Sequence, residues 1–99
     1  MKLEYHVYQA PVSRSYCFRN FKFAMKNGWT KNDYVHVYCG SIKSETINEA
    51  LEQIWELLNI NRPEDYHARS LSMSDLVMID NKFYYCDSVG WSECPEEEA

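Results

Sequence analysis

The sequence predicts an α+β fold, in which a small antiparallel sheet of about four strands carries two amphipathic helices on one face. Three observations predict it: short segments with alternating apolar and polar residues, two segments with helical periodicity, and an Asp80-Asn81 turn between two apolar runs. A chain of 99 residues is long enough for one domain with a single modest core. We therefore expect residues 1–94 to form one α+β domain and residues 95–99 to form a mobile acidic tail.

The first strand is predicted over residues 3–9, where apolar and polar side chains alternate until Ala10-Pro11, since proline has no amide hydrogen to donate. A helix is predicted over residues 15–27, followed by Gly28 as a C-terminal stop. The apolar residues of that segment share one helical face: Cys17, Phe18, Phe21, Ala24 and Met25.

Residues 34–40 are β-branched and aromatic and predict a second strand, which Gly40-Ser41 should end. Thr46 and Glu49 then match a capping box, in which their side chains satisfy backbone amides at a helix start. The second helix should continue to about Asn59, because its apolar residues fill one broad face.

Two further strands are predicted at residues 75–79 and 82–87, joined as a hairpin through Asp80-Asn81, since aspartate and asparagine tolerate a left-handed backbone. Before them, Ser70, Ser72 and Ser74 alternate with apolar residues. Their hydroxyls are expected to satisfy backbone groups at a chain crossing, and a ligand site is the alternative.

The formal net charge is −5, but the charge is unevenly distributed. Residues 12–32 carry five basic residues and no acidic one, so this stretch is +5 and the remainder is −10. Such polarity can steer association with charged partners over a Debye length of about 8 Å. The simpler alternative is that both charged stripes are the solvated sides of amphipathic helices.

The acidic stripe lies opposite the apolar face of the second helix and consists of Glu45, Glu49, Glu52 and Glu56. Charges placed about 5 to 6 Å apart along a helix loosely resemble a run of backbone phosphates. A protein with such a face could occupy a cationic nucleic-acid channel and block it.

The basic segment supports the opposite hypothesis, direct binding of nucleic acid. Arg19, Lys22 and Lys26 would contact phosphates, and Tyr16 and Phe23 would stack on bases. The acidic remainder of the chain opposes this hypothesis, because it repels nucleic acid at long range.

Catalytic motifs are absent from the sequence, which contains no Gly-x-Ser-x-Gly, no phosphate-binding glycine loop and no His-Glu-x-x-His. The best nucleophilic set would combine Cys86 or Cys39 with His36 or His6 and with Asp87. Any strand-rich fold offers such a set by chance, so we expect no enzyme and no cofactor.

Metal ligands are not expected either. The four cysteines form no C-x-x-C pair, and the three histidines are scattered. The chain also has no apolar run near the roughly 20 residues that span a bilayer and no apolar stretch typical of a signal peptide. We therefore expect reduced thiols, no membrane association and a cytoplasmic location.

Three segments carry a resemblance to a known family: Arg69-Ser-Leu-Ser-Met-Ser-Asp75, Leu76-Val-Met-Ile79 and Tyr84-Tyr-Cys-Asp-Ser-Val-Gly-Trp91. Together they resemble the YodL-like domain, a small family encoded largely on bacterial conjugative and phage-related elements. The resemblance covers mainly residues 62–91, with looser similarity in the opening strand and in residues 32–40. It implies that the serines, Asp75 and the turn at residues 87–90 are scaffold features, and the family has no established catalytic activity.

The mobile-element context implies a role in transfer or in evading host defence. By analogy with anti-CRISPR proteins, we expect a non-enzymatic inhibitor in a bacterial host cell, with a CRISPR effector nuclease as the candidate protein partner. Its acidic helix face would enter a basic groove. The alternative is a nucleic-acid-binding accessory protein of a conjugative or phage element, and a third possibility is an interaction module that binds through Trp29 or Trp91.

Overall fold

The computed structural model describes residues 2–94 and shows one five-stranded antiparallel sheet with the strand order β2-β1-β3-β4-β5. The strands are β1 (Lys2–Gln9), β2 (Val35–Lys43), β3 (Leu76–Ile79), β4 (Lys82–Cys86) and β5 (Trp91–Glu93). The helices are α1 (Phe21–Lys26) and α2 (Ile47–Asn59), with a short 3₁₀ helix at Lys31–Asp33. The α+β class is confirmed, with five strands rather than about four.

The additional strand is β5, whose Trp91 pairs with Cys86 of β4. Three residues are too short to show a period of two in the sequence, so this strand could not be predicted from alternation. The predicted tail at residues 95–99 lies outside the described residues. Among residues 2–94, no helix is long and apolar enough to cross a membrane.

The two helices pack on opposite faces of the sheet, so the prediction that they share one face is wrong. On the first face, α2 packs against side chains that alternate along β1 and β3, including Tyr5, Val7 and Val77. On the second face, Ala24 of α1 belongs to a cluster with Leu76 and Tyr85. The physical reason is that β3 and β4 carry apolar side chains on both sides, Val77 and Tyr84 on the first and Leu76 and Tyr85 on the second, and each side must be covered.

The predicted first helix was too long, because residues 12–19 form successive turns and only Phe21–Lys26 is helical. Phe18 has a left-handed backbone (φ 64°), and its amide donates a hydrogen bond to the Ser74 hydroxyl at 3.0 Å. Asn20 then caps the helix by accepting from the Phe23 amide at 2.8 Å. A contact to a distant loop therefore overrides the helical pattern of this segment.

The second helix begins and ends as predicted. The Thr46 hydroxyl accepts from the Glu49 amide at 3.1 Å, as the capping box predicts, but the Glu49 carboxylate accepts from the Ser44 hydroxyl at 3.4 Å rather than from a backbone amide. The β3–β4 hairpin is also confirmed, with Asp80 and Asn81 at φ angles of 52° and 64°.

The second strand continues through Gly40-Ser41 to Lys43, so the prediction that this pair ends the strand is wrong. Gly40 lies opposite Tyr5 of β1, and the Tyr5 ring crosses directly over it. A Cβ atom at residue 40 would lie 2.8 Å from the Tyr5 hydroxyl oxygen. The glycine is therefore required by the close approach of a buried ring, not by a turn.

A buried polar network joins the end of β1 to the loop before β3. Asp75 is fully buried, and its Oδ2 accepts from the Ser72 amide at 2.8 Å and from Gln9 Nε2 at 3.1 Å. Its Oδ1 accepts from Arg69 Nη1 at 3.1 Å, and Arg69 Nη2 donates to the Ala10 carbonyl at 2.8 Å. Burial raises the pKa of Asp75 to about 6, although the bonds from Ser72, Arg69 and Gln9 oppose this rise.

Gly40→Ala should lower the free energy of unfolding by about 1 to 3 kcal/mol, because the new methyl group overlaps the buried Tyr5 ring. Urea denaturation of both proteins measures the difference. Ser41→Ala, at an exposed neighbouring position of the same strand, is the control and should change stability by less than about 0.5 kcal/mol. Equal losses in the two variants would contradict the proposed overlap.

The Asp75 carboxyl should make stability fall as pH rises from about 4 to 6. The unfolded aspartate loses its proton near its ordinary pKa of 3.8, whereas the folded one keeps it until about pH 6. The loss contributed by this group is on the order of 3 kcal/mol and should be complete above its folded pKa. Denaturation of wild type and Asp75→Asn at pH values across this range tests the prediction. Parallel profiles of the free energy of unfolding against pH in the two proteins would refute it.

Candidate partner-binding site

The acidic residues of α2 form an exposed row on a rigid support. Glu49, Glu52 and Glu56 are solvent-exposed on this helix, and Glu45 is exposed just before the N-cap residue Thr46. The opposite side of α2 is fixed in the core by Ala50, Leu51, Ile54 and Leu58, which are all fully buried. Because Glu45 precedes the helix, the helical part of the predicted row is shorter than expected. It rises by roughly 10 Å from Glu49 to Glu56.

These carboxylates have no cationic partner within residues 2–94. The ion pairs in that part of the chain are Arg14 with Asp33 at 3.3 Å and Arg69 with Asp75 at 3.1 Å. Neither pair involves the acidic row, whose one hydrogen bond there comes from Ser44 to Glu49. The negative charge of α2 is thus available to a partner.

A groove of about 480 Å³ adjoins this row. It lies where α2, the loop before β3 and the β4–β5 turn meet, and it combines indole rings, a thioether and two carboxylates. Trp55 exposes 40% of its surface on the helix side. Its lining includes Glu52, Trp55, Met73, Asp87 and Trp91. Such a lining suits a lysine or arginine side chain, whose stem is apolar and whose head is cationic.

In the basic segment, the cationic side chains are exposed, but one of the two aromatic rings predicted to stack on bases is buried. Lys22 and Lys26 are exposed on α1, and the Arg19 guanidinium lies 3.9 Å from the centre of the Phe23 ring. Tyr16 is 2% exposed, and its hydroxyl donates to Asp33 at 2.7 Å. The prediction that Tyr16 stacks on bases is therefore wrong, because its ring belongs to the core.

The predicted nucleophilic set is divided between the two faces of the sheet. Cys86 points toward α2, whereas His6 and His36 lie on the other face, so no Cys86–histidine pair forms. Burial also raises the pKa of the Cys86 thiol to about 12, which keeps it protonated at neutral pH.

Cys39, in contrast, lies with His6 and His36 on the exposed second face. One ring nitrogen of each histidine and the Cys39 sulfur lie within 4.8 Å of one another. Within residues 2–94, this is the one group of three potential metal ligands among histidine, cysteine, aspartate and glutamate. The prediction that no residue holds a metal stays untested, but two of the three histidines converge with Cys39.

A family model of the YodL-like domain matches residues 4–96. The chain belongs to the YodL-like domain family. The match extends well beyond the resemblance at residues 62–91 and includes both helices and nearly the whole sheet. No curated protein and no solved structure matches the chain.

Two hydroxyls of the serine-rich loop of this YodL-like domain bond to backbone groups, as the sequence predicted. The Ser72 hydroxyl donates to the Ser70 carbonyl at 3.1 Å, the Ser74 hydroxyl accepts from the Phe18 amide, and Leu71 is buried. Met73 is partly buried and contributes to the groove. The loop therefore shapes one wall of the candidate site.

The β4–β5 turn of the YodL-like domain holds Asp87 in a fixed position. Burial raises its pKa, but hydrogen bonds from Ser92, the Ser88 amide and the Phe21 amide outweigh that effect and lower it. Asp87 is thus ionised at neutral pH beside Trp91 in the groove. The sequence indicated the turn, but it could not place the turn beside α2, because no local pattern reports that proximity.

Under native conditions, iodoacetamide should modify Cys39 well before any other thiol. Cys39 is exposed, whereas Cys17, Cys86 and Cys94 are buried and the Cys86 pKa is raised. Over time, intact-mass analysis should show a singly modified protein that accumulates before any doubly modified protein appears. Cys39→Ser should remove that adduct, and simultaneous modification of two cysteines in wild type would contradict the burial pattern.

Proposed function

We propose that this YodL-like domain is a non-enzymatic protein-binding inhibitor of a host nucleic-acid-processing defence complex in the bacterial cytoplasm. The candidate target is a CRISPR effector nuclease, and the bound element is a basic groove or segment of that protein. The observation that carries the proposal is the row of exposed carboxylates on α2 without an ion pair within residues 2–94.

The rigidity of α2 favours recognition by charge. Four buried side chains attach the helix to the sheet, so Glu49, Glu52 and Glu56 are held in position before binding. A preformed charged row loses less conformational entropy on binding than charges on a mobile segment. Nucleic-acid-processing proteins bind phosphates with lysine and arginine side chains, and a fixed anionic row can occupy the same surface.

The groove adds a contact that charge alone does not provide. Glu52 belongs both to the acidic row and to the groove wall, where Trp55 and Trp91 supply aromatic surface. Buried tryptophan and arginine side chains often dominate the energetics of protein interfaces. A basic side chain of the partner would therefore insert between the rings while its neighbours face the carboxylates.

The second candidate function is that of a nucleic-acid-binding accessory protein of a conjugative or phage element. The exposure of Lys22 and Lys26 beside Arg19 favours it. Burial of Tyr16 counts against it, since one of the two proposed stacking rings is unavailable.

Reversal of two charges on α2 should weaken partner capture by about tenfold or more, because like charges would then face each other. The variant is Glu49→Lys with Glu52→Lys. The assay measures retention of a purified CRISPR effector, with and without guide RNA, on the immobilised protein. Wild-type retention should fall at ~0.5 M salt, where the Debye length is about 4 Å.

The matched control is Glu4→Lys with Glu93→Lys, which changes the net charge equally at exposed positions on β1 and β5. It should retain the effector. The variant Arg19→Glu with Lys22→Glu tests the second function, because it should reduce the retention of nuclease-sensitive nucleic acid on the immobilised protein. Equal weakening by the control and by the α2 variant would reject the acidic row as the binding surface.

A further inference from the structure

Three side chains of metal-ligating types converge on the sheet face opposite α2. His6 of β1 pairs directly with Cys39 of β2, and His36 pairs with Tyr8 two residues along β1. His6 Nδ1 and His36 Nε2 are 3.0 Å apart, and the three potential ligand atoms lie within 4.8 Å of one another. His36 and Cys39 are exposed and His6 is partly exposed, so an ion can enter from solvent.

A β-bulge produces this convergence. His36 and Cys39 are separated by an odd number of positions, so in a regular strand they would point to opposite faces. The register between β1 and β2 shifts at Val7/Tyr8: Val7 pairs with Tyr38 and Tyr8 pairs with His36, which leaves Val37 as the extra residue. The extra residue turns His36 to the face that already carries His6 and Cys39.

We propose that His6, His36 and Cys39 form a binding site for a zinc ion. Thiolate and imidazole are the ligands that zinc prefers, and three protein ligands with water in the fourth position make a familiar open site. Tetrahedral zinc with Zn–N distances of about 2.0 to 2.1 Å separates its nitrogen ligands by about 3.3 Å. The histidine nitrogens therefore need to move apart by only about 0.3 Å.

The surroundings orient the ligands and add negative charge. The Tyr8 ring meets the His36 ring edge-on at a centroid distance of 5.2 Å, and Tyr8 also packs against Phe83. Glu4 lines the same surface depression as His6 and Cys39. A carboxylate beside the site favours a divalent cation. This site lies on the opposite face from the acidic row and does not depend on the proposed function.

The test is titration of the full reduced chain with Co²⁺ and with Zn²⁺. Co²⁺ should bind at one equivalent and give the intense visible bands and thiolate-to-metal charge-transfer absorption of a tetrahedral sulfur-containing site, and Zn²⁺ should displace it. One equivalent of Zn²⁺ should also slow alkylation of Cys39 by about tenfold or more, because the coordinated thiolate is less nucleophilic and less accessible.

Variants at the two exposed ligands separate this site from adventitious binding. Cys39→Ser should abolish the charge-transfer band, and His36→Ala should weaken zinc by about tenfold or more, with circular dichroism confirming that each variant folds. His67→Ala removes another exposed histidine and should leave the zinc affinity within about twofold of wild type. Absence of the tetrahedral spectrum at stoichiometric metal, or equal weakening in all three variants, would overturn the proposal.

Discussion

The rest of the structure depends on the hydrogen bonds of the buried Asp75 carboxyl, which help to join the end of β1 to the loop before β3. The carboxyl accepts from the Ser72 amide, Gln9 and Arg69, and Arg69 also binds the carbonyl of Ala10 at the end of β1. A buried polar group is tolerated only when its hydrogen-bonding capacity is used. The network therefore fixes the loop between α2 and β3, which supplies one wall of the groove.

Because the two helices pack on opposite faces of the sheet, the two candidate binding surfaces are separated. α2 and the groove lie on one face, and α1 with its cationic side chains covers part of the other. The acidic row of α2 and the cationic side chains of α1 thus lie on opposite faces of the sheet. The candidate zinc site lies on the second face at the β1–β2 pair, so a metal ion there would leave the acidic row accessible.

The elements that depend on local signals were predictable. Thr46 caps α2 through a contact three residues away, and Asp80-Asn81 forms a turn because both residues tolerate positive φ. Elements that depend on distant contacts were not: Phe18 leaves the helical pattern because its amide binds Ser74, 56 residues away. The acidic row was also predictable, because helical periodicity alone places Glu49, Glu52 and Glu56 on one side. The groove was not, because its walls are far apart in the chain.

The sequence by itself determined the α+β class, the position of α2 and the exposed acidic row, because these follow from short-range periodicity and capping. The YodL-like resemblance also lay in contiguous segments of the chain. Only the tertiary structure decided which sheet face each helix covers, that Trp55 and Trp91 line one groove, and how His36 joins His6 and Cys39. The physical reason is that a bulge or a packing partner is set by long-range pairing, and a one-residue shift in register moves a side chain to the opposite face.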